Sequence, residues 1–445
     1  MNNPETNSSL NRFHPIESSK RLHSLDILRG VAILAIFVIN IEIFAQPVDK
    51  LMNPTIGKNF SGLNYYIWLI KEILFFGKFW TIFAMLFGAG AYLLITRAEK
   101  KGNAAGIADI YYRRLFWLIF FGLIHAYFIW DGDVLYFYAM TGLFLYPLRK
   151  LSVQGMLIAF AIIFIIYTIK PFREYRHDVA LHKQIMEINQ IEATGQKLTD
   201  EQQSALDEWK MKEDLNVPSQ ETLQKEIEIM TKGTYYEIIK FNKVGTQERH
   251  MIWFYDKGFL RTLLKMILGM ALMKSGILIA QSKNKTYLFM AAAGYIFGLS
   301  LVILRIQYLL EHNFSILSRD LSRTVWEIDE LAVALGHIGI ICLFCKLNIL
   351  NWLKKSLAAV GRMAFTNYIM QSLIGTFIFY SYGFGLFGTM DRTEQLWIVG
   401  ALWLVQLIVS PIWLKFFQFG PVEWLWRSLT YWQRQPIIVK SRSVA

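Results

Sequence analysis

Charged and polar side chains set inside apolar runs are the part of this sequence that could do chemistry. A charge at the centre of a bilayer costs about 2.5–3.5 kcal/mol or more, so it persists where it faces a protein interior or water. In the stretch GLIHAYFIWDGDVLYFYA, His125 is followed closely by Asp131 and Asp133. An imidazole beside carboxylates makes a general base or a proton relay. The other open reading is a hydrogen-bonded core histidine followed by an ordinary Asp-Gly-Asp turn. In RLHSLDILRG, Asp26 and Arg29 share a helix face at i, i+3 and Gly30 permits close packing. That pair could also simply anchor and cap its helix. In GRMAFTNYIMQS, Asn367 and Gln371 lie four residues apart with Tyr368 and Ser372 alongside, a polar stripe in an apolar helix. It reads as a substrate path or as interhelical hydrogen bonding. His337, Arg305, Glu327, Asp329 and Glu330 read as rim or core contacts.

The elements that must position these groups are predicted membrane spans. Apolar residues make up 54% of the 445 and charged residues 18%, against about 45–50% and about 25% in soluble domains. Mean hydropathy is +0.33. The expected fold is all-α, a polytopic bundle of about ten transmembrane helices at 25–45, 76–96, 115–130, 134–148, 151–169, 259–280, 286–309, 327–346, 356–382 and 395–417. The run 134–148 is short for a ~30 Å hydrocarbon core and reads as one arm of a hairpin through Asp131-Gly132-Asp133. NYYIWLIKEILFF, with Lys71 and Glu72, reads as interfacial.

Between Lys170 and Lys257 there are 13 basic and 16 acidic residues, so that stretch carries −3 and the remainder of the +12 chain carries +15. The positive surplus therefore belongs to the membrane part and gives no case for a nucleic-acid partner. Arg12, Lys20, Arg21, Arg97, Lys100, Lys101, Arg113, Arg114, Arg149 and Lys150 fall on one side of the predicted spans; Lys50, Lys58, Arg319, Arg323 and Arg392 fall on the other. The positive-inside rule then places both termini in the cytoplasm. The polar first twenty residues hold no apolar core for a cleavable signal. The expected organisation is a cytoplasmic tail (1–24), five spans (25–169), an extracytoplasmic insert (170–258), five further spans (259–417) and an interfacial cytoplasmic tail (418–445). In the insert, Ile, Leu and Met recur at three and four residues among Glu and Lys, which predicts amphipathic helices broken near Gly195 and Pro218.

The sequence contains no Walker loop, dinucleotide fingerprint, H-E-x-x-H or zinc-spaced Cys/His set, and no metal is expected. Cys342 and Cys345 sit at i, i+3 in an apolar helix and read as packing.

SLDILRGVAILAIFVIN, FAMLFGAGAYLL, RRLFWLIFFGLIHAYFIWDGDVLYFYAMTG, GRMAFTNYIMQS and GPVEWLWRSLTYW follow one another along the chain. Together they resemble the YeiB-like family of bacterial inner-membrane proteins over nearly the whole length, with the insert as the departure. More distantly, SLDILRG is similar to the opening of the transmembrane acyltransferase group, which includes the acyltransferase-three class and the heparan-alpha-glucosaminide N-acetyltransferases. That resemblance implies an acyl group carried from a cytoplasmic acyl-CoA to an acceptor on the far side, such as a glycan or other cell-envelope molecule. Two histidines of the acyltransferase-three class fall on Asn40 and Gln371 here, and residues 41–62 hold no histidine.

Two functions from different classes follow. In an acyltransferase, Asp26, Arg29, Arg113 and Arg114 would hold the anionic CoA. His125, oriented by Asp131 or Asp133, would act as base, and Asn40 and Gln371 would donate to the oxyanion. In a transporter or flippase, Asn367, Tyr368 and Ser372 would line the path of a small or lipid-linked molecule, with no covalent chemistry.

Overall fold

The computed structural model describes residues 23–56, 60–102 and 104–439. Arg12, Lys20, Arg21 and Lys58 lie outside the described residues. Within these, apolar runs long enough to saturate their own backbone hydrogen bonds form helices throughout, and no strand occurs beyond one isolated bridge between Phe417 and Ile438.

The first half comprises α1 (His23–Ala45), α2 (Val48–Met52), α3 (Gly62–Leu74), α4 (Lys78–Lys100), α5 (Ala104–Phe128), α6 (Leu135–Gly142), α7 (Leu145–Leu148) and α8 (Val153–Ala193). Three helices follow, α9 (Asp200–Asn216), α10 (Gln220–Lys232) and α11 (Tyr235–Glu248), and then a π-helical stretch, Arg249–Gly258. The second half comprises α12 (Phe259–Lys274), α13 (Asn284–Glu311), α14 (Ile316–Lys346), α15 (Asn351–Arg362), α16 (Ala364–Phe379), α17 (Arg392–Phe416) and α18 (Pro421–Tyr431).

Six helical segments among the described residues are long and apolar enough to cross a membrane: His23–Ala45, Gly62–Lys100, Val153–Ala193, Asn284–Glu311, Ile316–Lys346 and Arg392–Phe416. Two of the ten anticipated runs are interrupted. The run 134–148 divides into α6 and α7, and 356–382 divides into α15 and α16 around Met363. The second break is held by a carboxylate: Glu423 accepts the backbone N–H groups of Phe365 and Thr366 at 2.7 and 3.1 Å, and the Thr366 hydroxyl as well. A buried anion at a helix start satisfies donors that the helix itself cannot.

The 41 residues of α8 span roughly 60 Å at 1.5 Å per residue, about twice the hydrocarbon thickness. Its first half exposes Ile158, Ile162, Ile165, Ile166 and Ile169, whereas its second half carries the charged residues of the segment from 170 onwards. Helix ends fall at Ala193 and Asn216, beside Gly195 and Pro218, and capping boxes at Thr199 and Thr234 start α9 and α11.

The bundle closes where α1 meets α15. A Cβ on Gly30 would sit 2.0 Å from the Leu357 carbonyl oxygen, and one on Gly361 would sit 1.9 Å from that of Asp26. The reciprocal pair of glycines lets the two backbones touch and so fixes the depth of Asp26 and Arg29.

Candidate functional site

His125 lies in the last turn of α5, whose end is closed by the N–H groups of Ile129 and Trp130 donating to the His125 carbonyl. The chain then turns through Asp131-Gly132-Asp133 into α6. There one Asp133 carboxylate oxygen, Oδ2, accepts the Tyr136 N–H at 2.8 Å. Gly122 leaves room for this: a Cβ there would lie 2.5 Å from the Tyr136 nitrogen. The hairpin aims the other Asp133 oxygen, Oδ1, at His125 Nδ1, 2.9 Å away. On the far side of the ring, His125 Nε2 is 2.9 Å from the Ser372 hydroxyl on α16. With the carboxylate as acceptor, Nδ1–H donates to Asp133 and Nε2 is left to accept from Ser372. His125, Asp133 and Ser372 are 1%, 3% and 1% exposed, so the series is shut off from water.

The imidazole is walled by aromatic rings, Tyr368 at 5.0 Å and Trp130 edge-on at 6.2 Å between centroids. Tyr368 also donates its hydroxyl to the Gly132 carbonyl at 3.4 Å. The Trp130 indole N–H is buried with no hydrogen-bond partner among the described residues.

The other expected residues have different surroundings. Asp131 pairs with Arg249, apart from the imidazole. Gln371 Nε2 donates to the Ile33 carbonyl and to Gln406 Oε1, both at 3.1 Å, while Asn367 Nδ2 donates to the Val360 carbonyl and Ser410. These amides tie α16 to α1, α15 and α17, and both N–H groups of Gln371 are thereby engaged. Asn40 is half-buried on α1, and its side chain makes no hydrogen bond among the described residues.

His250, which the sequence did not single out, sits in the π-helical stretch. It is stacked on Tyr136 at 4.2 Å and flanked by Tyr127 and Phe137. Burial pushes its pKa below the ordinary value, the Asp133 charge pulls it back and Arg249 lowers it further.

At the opposite end of α5, arginines gather. Arg29 pairs with Asp26 at 3.0 Å, and Arg113 pairs with Asp109 and lies over the Trp432 ring. The Arg114 guanidinium stacks 3.9 Å above Trp426 and lies within electrostatic reach of Arg427 and Arg29. Arg362 lies within reach of Asp26 and Arg427. Neither Arg114 nor Arg427 has a carboxylate at ion-pair distance among the described residues. A cluster of this kind suits phosphate oxygens. Arg427 was read only as part of an interfacial anchor, since only folding sets α18 against α5 and α16, and Arg362, at the end of α15, gave no local signal. A surface recess of about 570 Å³, lined by Tyr92, Thr96, Arg97, Lys100 and Lys274, opens beside the end of α4.

A second polar cluster runs through the bundle. Arg261 contacts Glu327 at 2.8 Å and Glu330 at 2.7 Å; Lys265 contacts the same two carboxylates at 2.7 and 3.1 Å. Arg305 meets Asp329 at 2.7 Å and Glu72 at 3.7 Å, and Lys78 meets Asp329 at 3.9 Å. Glu327, Asp329 and Glu330, expected as rim or core contacts, lie in the core and form the buried anionic face of α14. Outside the bundle, His177, Asp178 and Glu208 come within metal-ligating range, but Lys212 Nζ lies 2.8 Å from Asp178 and supplies the cation there.

Residues 272–433 match a family described as "Protein of unknown function (DUF418)". The match takes in Arg362, Ser372 and Arg427 and begins well after His125. Along nearly its whole length the chain is similar to "Uncharacterized protein YxaH" of Bacillus subtilis (strain 168), 28% identical over 97% of this chain and 100% of that one. It is similar also to "Uncharacterized protein YeiB" of Escherichia coli (strain K12), 29% identical over 94% of this chain and 98% of the relative. A third relative, "Uncharacterized 39.9 kDa protein in amylase 3'region" of Bacillus acidopullulyticus, is 25% identical over 96% and 99% of the two chains. No solved structure matches the chain.

Proposed function

The chain belongs to the YeiB-like family, and from that premise we propose that it is a multi-pass inner-membrane acyltransferase. It passes an acyl group from a cytoplasmic acyl-CoA to an extracytoplasmic acceptor such as a glycan or another cell-envelope molecule. The observation that carries this reading is the buried hydrogen-bonded series Asp133–His125–Ser372. Such a series prepares an imidazole to take a hydroxyl proton, which a purely structural histidine does not require.

In this reading about ten helical passes place both termini in the cytoplasm, the interrupted 134–148 and 356–382 segments each counting as one pass. The helices from α9 to α11 then face the opposite side. Arg29, Arg114, Arg362 and Arg427 lie at the cytoplasmic end and hold the donor's phosphates. Arg114 and His125 are eleven residues apart on α5, or about 16 Å, which the donor's extended arm crosses. Asp133 fixes the imidazole and stabilises its protonated form, while the aromatic wall excludes water that would hydrolyse the acyl group. Inside the bilayer the partner is lipid; no nucleic acid and no metal is involved.

The buried polar stripe of α16, Asn367, Gln371 and Ser372, favours a second reading, transport of a small or lipid-linked molecule without covalent chemistry, because polar groups kept inside a membrane bundle often line a substrate path. Thermal unfolding of the detergent-purified protein with acetyl-CoA, longer acyl-CoAs and free CoA separates the two. A donor at 100 times its Kd adds about 2.7 kcal/mol to the native state. A saturable upward shift that is lost in Arg427→Ala and in Arg114→Ala is expected. No shift across the series, with the protein folded, would remove the donor site and leave transport, to be tested by liposome flux.

A further inference from the structure

We propose that Ser372 is a nucleophile, and that it carries the acyl group as a serine ester between two half-reactions. The inference rests on the acyl-transfer reading above and adds to it a covalent intermediate and a named attacking atom.

Geometry first separates Ser372 from the other hydroxyls of the bundle. Its Oγ lies 2.9 Å from His125 Nε2, while its contact with the Tyr368 carbonyl one helical turn earlier is a loose 3.4 Å. The hydroxyl proton therefore points to the imidazole. The imidazole's other nitrogen is 2.9 Å from an Asp133 oxygen, and Asp133 is fixed in turn by the Tyr136 N–H. Nucleophile, base and orienting carboxylate come from two separate parts of the chain and meet in the order that activates a serine. His125 Nε2 is covered by that same hydroxyl, so an electrophile approaching from the α16 side reaches Oγ first.

Depth gives the second argument. Ser372 lies eight residues beyond Ala364, about 12 Å along α16 from the Glu423 cap and the arginine cluster. A polyanionic donor cannot follow its acyl group across a bilayer interior. A neutral ester on Ser372 can wait there while the thiol withdraws to one face and the acceptor arrives from the other.

In the first half-reaction Ser372 Oγ attacks the thioester carbonyl carbon and its proton passes to His125 Nε2. The tetrahedral adduct collapses, the carbon–sulfur bond breaks, and the thiolate leaves with the proton returned by His125. In the second, the acceptor hydroxyl or amine gives its proton to His125 and attacks the ester carbonyl. The carbon–Oγ bond breaks, and Oγ regains the proton. No oxidant, metal or further reactant enters. The oxyanion donor assigned here is the Trp130 indole N–H, which is buried beside the imidazole without a partner among the described residues. Gln371, whose two N–H groups are engaged, keeps a packing role.

The test is rapid mixing of the purified protein with acetyl-, butyryl- and palmitoyl-CoA in the absence of acceptor. Free thiol is followed, and the trapped protein is mapped by peptide mass spectrometry. The expected result is a burst of about one thiol per protein and an acyl ester on Ser372. Both are abolished in Ser372→Ala and slowed by about 10²–10⁴-fold in His125→Ala. Ser372→Cys, which keeps a nucleophile at this position, is expected to trap the acyl group as a thioester. Retained acyl-CoA thermal stabilisation in Ser372→Ala shows that variant to be folded. A thiol burst that persists in Ser372→Ala, or an adduct mapped to His125, would overturn the serine assignment and leave the acyltransferase standing. Absence of burst, adduct and acyl-CoA stabilisation in the wild-type protein would overturn both.

Discussion

Lys265→Met should destabilise the protein far more than its single lost charge would on a surface. Lys265 is fully buried on α12, with its Nζ 2.7 Å from Glu327 and 3.1 Å from Glu330 and 4.3 Å from the centre of the Trp80 ring. Around it, Lys78, Arg261, Lys265 and Arg305 oppose Glu72, Glu327, Asp329 and Glu330, so the cluster is electrically neutral. Methionine keeps the length and packing of the lysine stem but leaves one carboxylate uncompensated in the interior. Removing one member of a buried ion pair costs about 3–5 kcal/mol, whereas removing both members is often close to neutral. The double variant Lys265→Met/Glu327→Gln restores neutrality and should recover part of that loss, with a coupling energy of at least ~1 kcal/mol. The assay is reversible unfolding in mixed micelles for wild type, both single variants and the double. A Lys265→Met stability within ~0.5 kcal/mol of wild type, or losses in the double variant that simply add, would refute charge balance as the basis of this core.

Two further outcomes follow from particular contacts. Glu226, on α10, has its pKa raised from 4.5 to about 7, chiefly by burial and then by the charges of Asp49 and Asp131, with Lys50 acting in the opposite sense. Because the folded value lies above the unfolded one, its contribution to stability is complete below pH 4.5 and is lost as pH rises through about 7. Glu226→Gln, which mimics the protonated acid, should flatten the decline in stability between pH 5 and pH 8; parallel pH profiles for the two proteins would contradict this. Gly361→Ala places a methyl group against the Asp26 carbonyl, where a Cβ would sit at 1.9 Å, and so must separate α1 from α15. A loss of about 1–3 kcal/mol is expected, together with a weaker acyl-CoA shift, since Asp26 and Arg29 move with α1. An unchanged melting profile would show that the two helices separate without cost.

The helices were legible wherever a single physical signal sufficed. Long apolar runs marked α1, α13 and α17, and Gly195 and Pro218 marked helix ends in the charged segment. The division of 356–382 into α15 and α16 was not legible, because its cause is tertiary. Glu423 lies some sixty residues downstream and offers a cap that hydropathy cannot register. The same distinction runs through the site. His125 and Asp133 are eight residues apart, and their partnership could be considered from sequence, although Asp131 looked equally suitable until the hairpin turned it toward Arg249. Ser372 stood out only as part of a polar stripe; its hydrogen bond to a histidine 247 residues away carries no local signature. Arg427 was legible only as part of an interfacial anchor and His250 had no signal, since each acquires its neighbours from elements remote in sequence.

The two polar cores are mechanically connected, and the connection explains why a neutral ion cluster sits so near a candidate catalytic histidine. Asp133 holds the first turn of α6 through the Tyr136 N–H. Two residues further, the Tyr138 hydroxyl donates to the Trp80 carbonyl, and the Trp80 ring lies 4.9 Å from the Arg261 guanidinium and 4.3 Å from the Lys265 ammonium. The carboxylate bonded to His125 thus sits in the turn leading into a short helix that is braced against the densest set of ion pairs in the described structure. Hydrogen-bond geometry at a base must be kept to within about 0.5 Å to be productive, and a two-turn helix on its own cannot supply that rigidity. Charges with fixed partners on α4, α12 and α14 can, because any displacement of α6 would drag Trp80 off the cations it covers. The buried charges expected as rim or core contacts therefore brace the hairpin that holds Asp133 against His125.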